Sequence, residues 1–296
     1  MATVPFAKRA ITLTFKLGEG TFGGSGFNTL TIKGLRCLVQ IEQVTLPTSP
    51  AIVLRVWGLT LDHINQLTVA GLQFKYRSNR ISIEAGEKDG TMVQVFEGQI
   101  WEAYPDFTDT PNVAFIIQAN STGDIQLKPT SPVTFNGSVS AETALKQIIK
   151  PTGLTLENSG VDTKLSNPYF PGTAMQQIES VCRAADCFYY IDSIKKVLAI
   201  WPKDKSRKTD NIVEISPATG MISYPTFEQA VVKVRTLFDP ALHAPVYAQP
   251  GTKIKIISQL KAASGIWTIN KISYLLASEL PNGPWELMLW TNPGVM

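Results

Sequence analysis

Asn79-Arg-Ile-Ser-Ile-Glu84 and Met92-Val-Gln-Val-Phe96, joined by Ala85-Gly-Glu-Lys-Asp-Gly90, decide the structural class of this chain. Apolar and polar residues alternate in both runs, the period of a strand with one face in a core and one in water. Asp89-Gly90 between them is a hairpin signal, because both residues tolerate positive φ in a tight turn. Upstream, residues 12–17 and 28–33 alternate in the same way. Leu35, Cys37, Val39 and Ile41 continue the pattern, with Arg36, Leu38 and Gln40 on the other face. Ile52-Val-Leu-Arg-Val-Trp57 is richer in β-branched residues and reads as a more deeply buried strand. Leu61, Ile64 and Leu67 have the spacing of a short helix, and residues 98–103 and 113–118 read as two further strands. The segment 1–119 is thus expected to be an all-β unit of about seven strands around one small helix, able to close as a barrel or pack as a sandwich.

The pattern changes near Asn120. Ser140 is placed to cap a helix over 141–149, with Leu145, Ile148 and Ile149 on one face and Pro151 and Gly153 ending it. Thr173-Ala-Met-Gln176 fits a capping box, and Met175, Ile178, Val181, Cys182 and Ala185 form the apolar stripe of the helix that follows. Residues 188–191 and 196–201 read as a hairpin around Asp192-Ser193. The segment 120–208 is therefore expected to be a small α+β domain. From 209 to 296 the chain is β again, with strands expected at 231–237, 253–257, 265–269, 272–275 and 285–290. The fold class is mainly β with an α+β insert.

Hydrophobic residues make up 44% of the 296-residue chain and charged residues 17%, below the roughly 25% of ordinary soluble domains. A large β core or extensive burial against partners would each produce this. The net charge of +3 is too weak for a dedicated nucleic-acid binder. The densest basic run, Lys203, Lys205, Arg207 and Lys208, reads as a solvated loop after a strand. Three cysteines, Cys37, Cys182 and Cys187, argue against a disulfide framework and fit synthesis in a reducing cytosol. Neither their spacing nor the two histidines, His63 and His243, makes a metal pattern, so no metal site is expected. The N-terminus lacks the apolar core of a signal peptide, and no apolar run reaches the roughly 18 to 20 residues of a membrane span.

One motif looks catalytic. Leu17-Gly-Glu-Gly-Thr-Phe-Gly23 resembles the glycine-rich loop that covers nucleotide phosphates in protein kinases, and Lys33 stands where a strand lysine would follow. The companions of that loop are missing: no His-Arg-Asp and no Asp-Phe-Gly occurs. The expectation is a flexible inter-strand loop extended by Gly24, Ser25, Gly26 and Asn28. Ser25 has no histidine placed to serve it, His63 lies on the short helix, and His243 lies in a proline-bounded loop. No carboxylate pair stands out among the 24 acidic residues. Trp57, Trp101, Trp201, Trp267, Trp285 and Trp290 sit mostly in apolar strand patterns, which favours core or interface packing over sugar binding. No catalytic, cofactor-binding or metal-binding residue is expected, and the chain is read as a non-enzyme.

Several further stretches stand out: Val56-Trp-Gly-Leu-Thr-Leu-Asp-His-Ile-Asn-Gln-Leu-Thr68, Phe96-Glu-Gly-Gln-Ile-Trp-Glu-Ala-Tyr104 followed by Pro111, and Phe135-Asn-Gly-Ser-Val-Ser140. With them go Asn167-Pro-Tyr-Phe-Pro-Gly172 and the helix to Tyr190-Ile-Asp192, then Ser258-Gln-Leu-Lys-Ala-Ala-Ser-Gly-Ile-Trp267 and Asn282-Gly-Pro-Trp285. These stretches resemble baseplate hub proteins of contractile-tailed bacteriophages of the Mu-like and late-control type. The resemblance implies two tube-type β-barrel domains, at 1–119 and 209–296, flanking the α+β domain. It further implies a homotrimeric ring that adapts the sixfold tail tube to the threefold central spike around the DNA channel. The implied partners are the tail tube or tube-initiator protein, the spike and the baseplate wedge proteins, with DNA only in transit and no stable membrane association. The implied location is the virion tail, after assembly in the host bacterial cytoplasm. The chain carries no appended spike or lysozyme before Met296, so on this resemblance the puncturing device is a separate subunit. The alternatives are a distal-tail or tube-tip ring protein and a tail-associated cell-wall hydrolase.

Overall fold

β1 (Arg9–Lys16) and β2 (Thr29–Lys33) form an antiparallel hairpin, and the glycine-rich stretch is its connection. The computed structural model describes residues 8–23, 26–45, 50–68, 78–228, 231–241 and 248–293. After β3 (Cys37–Val44) and β4 (Ala51–Trp57) comes helix α1 (Leu61–Leu67), capped by Thr60, whose hydroxyl accepts from the His63 N–H. β5 (Arg80–Glu87), β6 (Met92–Asp106) and β7 (Ala114–Asn120) complete the first β segment, and α2 (Gly123–Leu127) leads out of it.

The β5–β6 hairpin forms where the alternation places it, but its turn differs from the expected one. Neither Asp89 nor Gly90 has positive φ. The Gly90 N–H donates to Glu87 O at 3.1 Å, and the strands pair from Gly86 with Met92. A longer connection built on an i to i+3 turn replaces the two-residue turn.

Bulges explain the other departures. Residues 98–103 are not a separate strand but the middle of β6, whose register against β7 slips between Ile100 and Glu102. One extra residue, Trp101, reverses the side-chain phase, so Ile100 and Ala103 both face the core. Likewise 265–269 and 272–275 belong to one strand, β19, with a slip between Ile269 and Lys271 that turns both Ile269 and Ile272 inward. A strict period of two cannot continue through such a phase change, which is why each reads as two strands.

The middle segment has its own core. Short strands β8 (Val133–Thr134) and β9 (Ser138–Ser140) precede α3 (Ala141–Ile149). Ser140 caps α3, as its position requires. β10 (Thr155–Asn158), β11 (Lys164–Ser166) and β12 (Tyr169–Phe170) lead to α4 (Ala174–Ala184), which has the full Thr173/Gln176 capping box. The Thr173 hydroxyl accepts from the Gln176 N–H at 3.4 Å, and the Gln176 side chain accepts from the Thr173 N–H at 2.9 Å. Removing such a cap costs about 1 kcal/mol. Met175, Ile178, Val181, Cys182 and Ala185 are all buried. β13 (Cys187–Asp192) and β14 (Val197–Pro202) form the expected hairpin, with β10 parallel to β14.

The last segment contains β15 (Val213–Ile215), β16 (Thr226–Glu228), β17 (Val231–Leu237), β18 (Lys253–Ile256), β19 (Gly265–Ser278) and β20 (Trp285–Pro293). The large sheet runs β16-β17-β20-β19-β3-β4-β7-β6-β5-β1-β2, with β18 and β15 branching from the first half of β19. One hydrophobic core draws on both β segments, from Ile11 to Leu289.

Candidate assembly surfaces

β19 joins the two β segments. Its first half, Gly265 to Thr268, pairs with β18, and its second half, Lys271 to Ser278, pairs with β3. Between them Asn270 sits at the bulge, and its carbonyl accepts from the Thr45 N–H at 3.0 Å. The strand changes neighbours at that point, so strands far apart in sequence share one ladder.

The face of this ladder turned away from the core carries charges of both signs. Across β17, β20 and β19, Lys233, Trp290 and Lys271 stand in one row. The two ammonium groups lie 5.1 and 5.0 Å from the indole centre, favourable cation–π geometry. Arg235 pairs with Glu286 at 2.7 Å, Lys271 with Glu42 at 3.1 Å and Lys233 with Glu228 at 3.7 Å. The basic side chains of this face are thus largely neutralised in place.

The sheet ends at β2 and β16. Phe227 of β16 pairs with Val232, and Val232 with Thr291, both buried, so Phe227 points to the core side of the sheet. It is nevertheless 51% exposed, because no described element covers this end. Ile222 and Tyr224 are also exposed beside it, and the Tyr224 hydroxyl donates to Gln259 at 2.7 Å. An open strand edge with apolar side chains is the kind of surface that another chain completes.

A buried polar node fixes the α+β domain on the β region. Arg207 is 5% exposed. Its Nε and Nη2 donate to Glu157 at 2.6 and 2.7 Å, and its Nη1 donates to the Gln249 side-chain oxygen at 2.5 Å. Gln249 Nε2 donates to Asp192 at 2.5 Å, and the other Asp192 oxygen accepts from the Ile194 and Lys195 N–H groups at 2.9 Å. Beside the node, Tyr190, Ala199 and Trp201 form the outer face of the β13–β14 pair. Trp201 packs on Gly251 so closely that a Cβ there would stand 2.5 Å from the indole. The basic run at 203–208 is therefore not wholly a solvated loop: Lys203, Lys205 and Lys208 are exposed, but Arg207 turns inward. Its planar fork suits a bidentate carboxylate, which an ammonium does not. No periodicity marks it in the sequence.

The catalytic-looking residues do not converge. In the glycine-rich stretch Leu17 and Phe22 are buried in the core, the Gly18 N–H donates to the Asn79 side chain at 3.0 Å, and Gly20 and Gly23 supply positive φ. Lys33 pairs with Thr12, at the far end of the hairpin from this turn, four residues or roughly 13 Å along the strand. His63 meets the Phe22 ring edge-on at 6.2 Å. Ser25, Gly24 and His243 lie outside the described residues. Among the described residues no three His, Cys, Asp or Glu side chains cluster to hold a metal ion, and no helix is long and apolar enough to cross a membrane. The three cysteines are free and buried. Of the tryptophans, Trp201 and Trp285 are buried, Trp57, Trp267 and Trp290 are half-buried, and Trp101, pushed out at its bulge, is exposed.

No curated protein matches the sequence. Among solved structures, the fold is similar to the 43 kDa tail protein of prophage MuSo2 from Shewanella oneidensis, with 10% identity, a TM-score of 0.60 and coverage of 94% of this chain and 95% of that one. It is similar to the tail protein from Neisseria meningitidis MC58, with 8% identity, a TM-score of 0.61 and coverage of 97% and 98%. A chain of the half-lidded Francisella PdpA–VgrG complex matches with 10% identity and a TM-score of 0.52 over 96% of this chain and 58% of that one. At such identities these likenesses speak to the fold alone. The family model for baseplate hub gp41 matches residues 11–281. The chain belongs to the baseplate hub gp41 family, structural proteins of the phage tail baseplate.

Proposed function

We propose that this protein forms a homotrimeric hub ring that adapts the sixfold tail tube to the threefold central spike and surrounds the DNA channel. Each subunit brings two tube-type β units, 1–119 and 209–296, so that three subunits present six. The observation that carries this reading is the β3–β19 ladder, which sets the two β segments edge to edge in one sheet whose end strands β2 and β16 have no further neighbour among the described residues. Strand edges and apolar residues such as Phe227 are then satisfied by the neighbouring subunit.

The charge-balanced face across β17, β20, β19 and β3 is the proposed channel wall. Passing DNA is held by phosphate contacts to unpaired cations, and here Arg235, Lys271 and Lys233 are already paired. The protein works by assembly rather than catalysis, and its glycine-rich stretch serves as a hairpin turn. The tube protein, the spike and the wedge proteins are its proposed partners in the virion, after assembly in the host cytoplasm. Electron cryomicroscopy of the intact tail tests the ring: three copies around the axis support it, and six copies would favour a tube-tip ring instead.

A further inference from the structure

A basic groove opens where the start of β1, the end of β2, the β5–β6 turn and the end of β19 meet. Its volume is about 500 Å³, and Lys8, Arg9, Lys33, Lys88 and Glu279 stand around it. A second hollow of about 520 Å³ shares Lys8, Arg9 and Glu279 and continues along the 279–283 turn.

The backbone holds these cations together although they lie far apart in sequence. Lys33 ends β2 opposite Thr12, and the Lys88 N–H donates to the Lys8 carbonyl at 2.8 Å. Two of the four cations are engaged. Lys8 pairs with Glu279 at 2.7 Å, while Arg9 donates to the Gly283 carbonyl at 3.1 Å and lies 5.7 Å from the Trp285 ring centre. Lys33 and Lys88 are exposed and have no ion-pair partner among the described residues. The fold gathers positive charge here and leaves half of it unanswered.

We propose that this groove binds an extended acidic segment of a different protein, with carboxylates at Lys33 and Lys88 and the segment lying along the 279–283 turn. Spaced carboxylates suit the site because its two unpaired cations stand opposite Thr12 and beside Lys8, four residues apart along the chain, roughly 13 Å at strand spacing. Met92, half-buried in the wall, offers apolar contact between the charges. The groove's own charge, four cations against the one carboxylate of Glu279, attracts an acidic partner, and a second copy presenting this same groove would set like charges together. The proposal stands independently of the ring.

The test is fluorescence anisotropy with a labelled short peptide of alternating Glu and Leu, added to the full chain at low salt. Binding is expected to weaken roughly tenfold in the variant carrying both Lys33→Glu and Lys88→Glu. It is also expected to weaken as salt rises from about 50 to about 200 mM. The paired Lys33→Gln and Lys88→Gln variant decides the matter should the charge reversal unfold, with thermal melting as the check. No binding at low salt, equal binding by folded variants, or displacement of the peptide by a DNA duplex would overturn the proposal. So would loss of self-association in the folded variants, which would assign the groove to a second copy.

Discussion

Arg207 and Glu157 form a two-pronged ion pair, at 2.6 and 2.7 Å, at the edge of the α+β domain, and the same guanidinium reaches Gln249 of the final β segment. Replacing Arg207 by Met leaves Glu157 unpaired and the Gln249 side-chain oxygen without its donor. The expected loss is about 2–4 kcal/mol, discounted from a fully buried pair because Glu157 keeps some contact with water. Arg207→Lys keeps the charge but not the fork, and falls between the variant and the parent. Urea denaturation followed by tryptophan fluorescence measures both.

Gly251 has φ +87° and lies against Trp201. Gly251→Ala adds backbone strain and a steric clash, and is expected to cost about 2–4 kcal/mol. Trp201→Leu in the same chain removes the clash, so the double variant should lose less than the sum of the singles. A thermodynamic cycle by chemical denaturation tests this, and strict additivity would show that the contact is not what sets the cost.

Tyr274 is fully buried, and its hydroxyl has no hydrogen-bond partner among the described residues. Tyr274→Phe removes an unsatisfied polar atom without changing shape, so stability should stay level or rise by up to about 1 kcal/mol. A loss above that range would mean that the hydroxyl has a partner in the assembled protein.

Alkali should destabilise the fold. Burial pushes the Cys37 thiol up to about 12, a rise partly offset by its hydrogen bond with Ser278. Burial likewise raises the Tyr189, Tyr190 and Tyr274 phenols above their usual value. Unfolded cysteine and tyrosine ionise near about 8.5 and 10, so above those values the unfolded chain releases protons that the folded chain keeps. The stability is fully present below about pH 8.5 and is lost as pH rises, by up to about 1.4 kcal/mol per pH unit for each group. Denaturation midpoints from pH 7 to 11 check the slope, and Cys37 should resist thiol reagents at pH 8 while the protein stays folded.

Local signals carried much of the fold into the sequence. Ser140, Thr173 and Gln176 cap helices because capping depends only on near neighbours, and the α4 stripe follows from helical period alone. What escaped was non-local. Trp101 and Asn270 sit at bulges that reverse the side-chain phase, so β6 and β19 each read as two strands. Nothing near Cys37 announces a partner at Ser278, because the β3–β19 register is set by packing across the chain. Arg207 looks like its exposed lysine neighbours until Glu157 and Gln249 are brought to it. The missing companions already tell against a nucleotide site at Lys33, and the hairpin sets it away from the glycine-rich turn.

The mass of the purified protein in solution, by light scattering, tests the hub ring most directly, measured alone and again with its spike protein. The ring predicts a complex containing three copies of the 32.4 kDa chain in at least the second measurement, with Phe227→Glu lowering it toward one copy while the fold is kept. A single copy in both measurements at high concentration would contradict it.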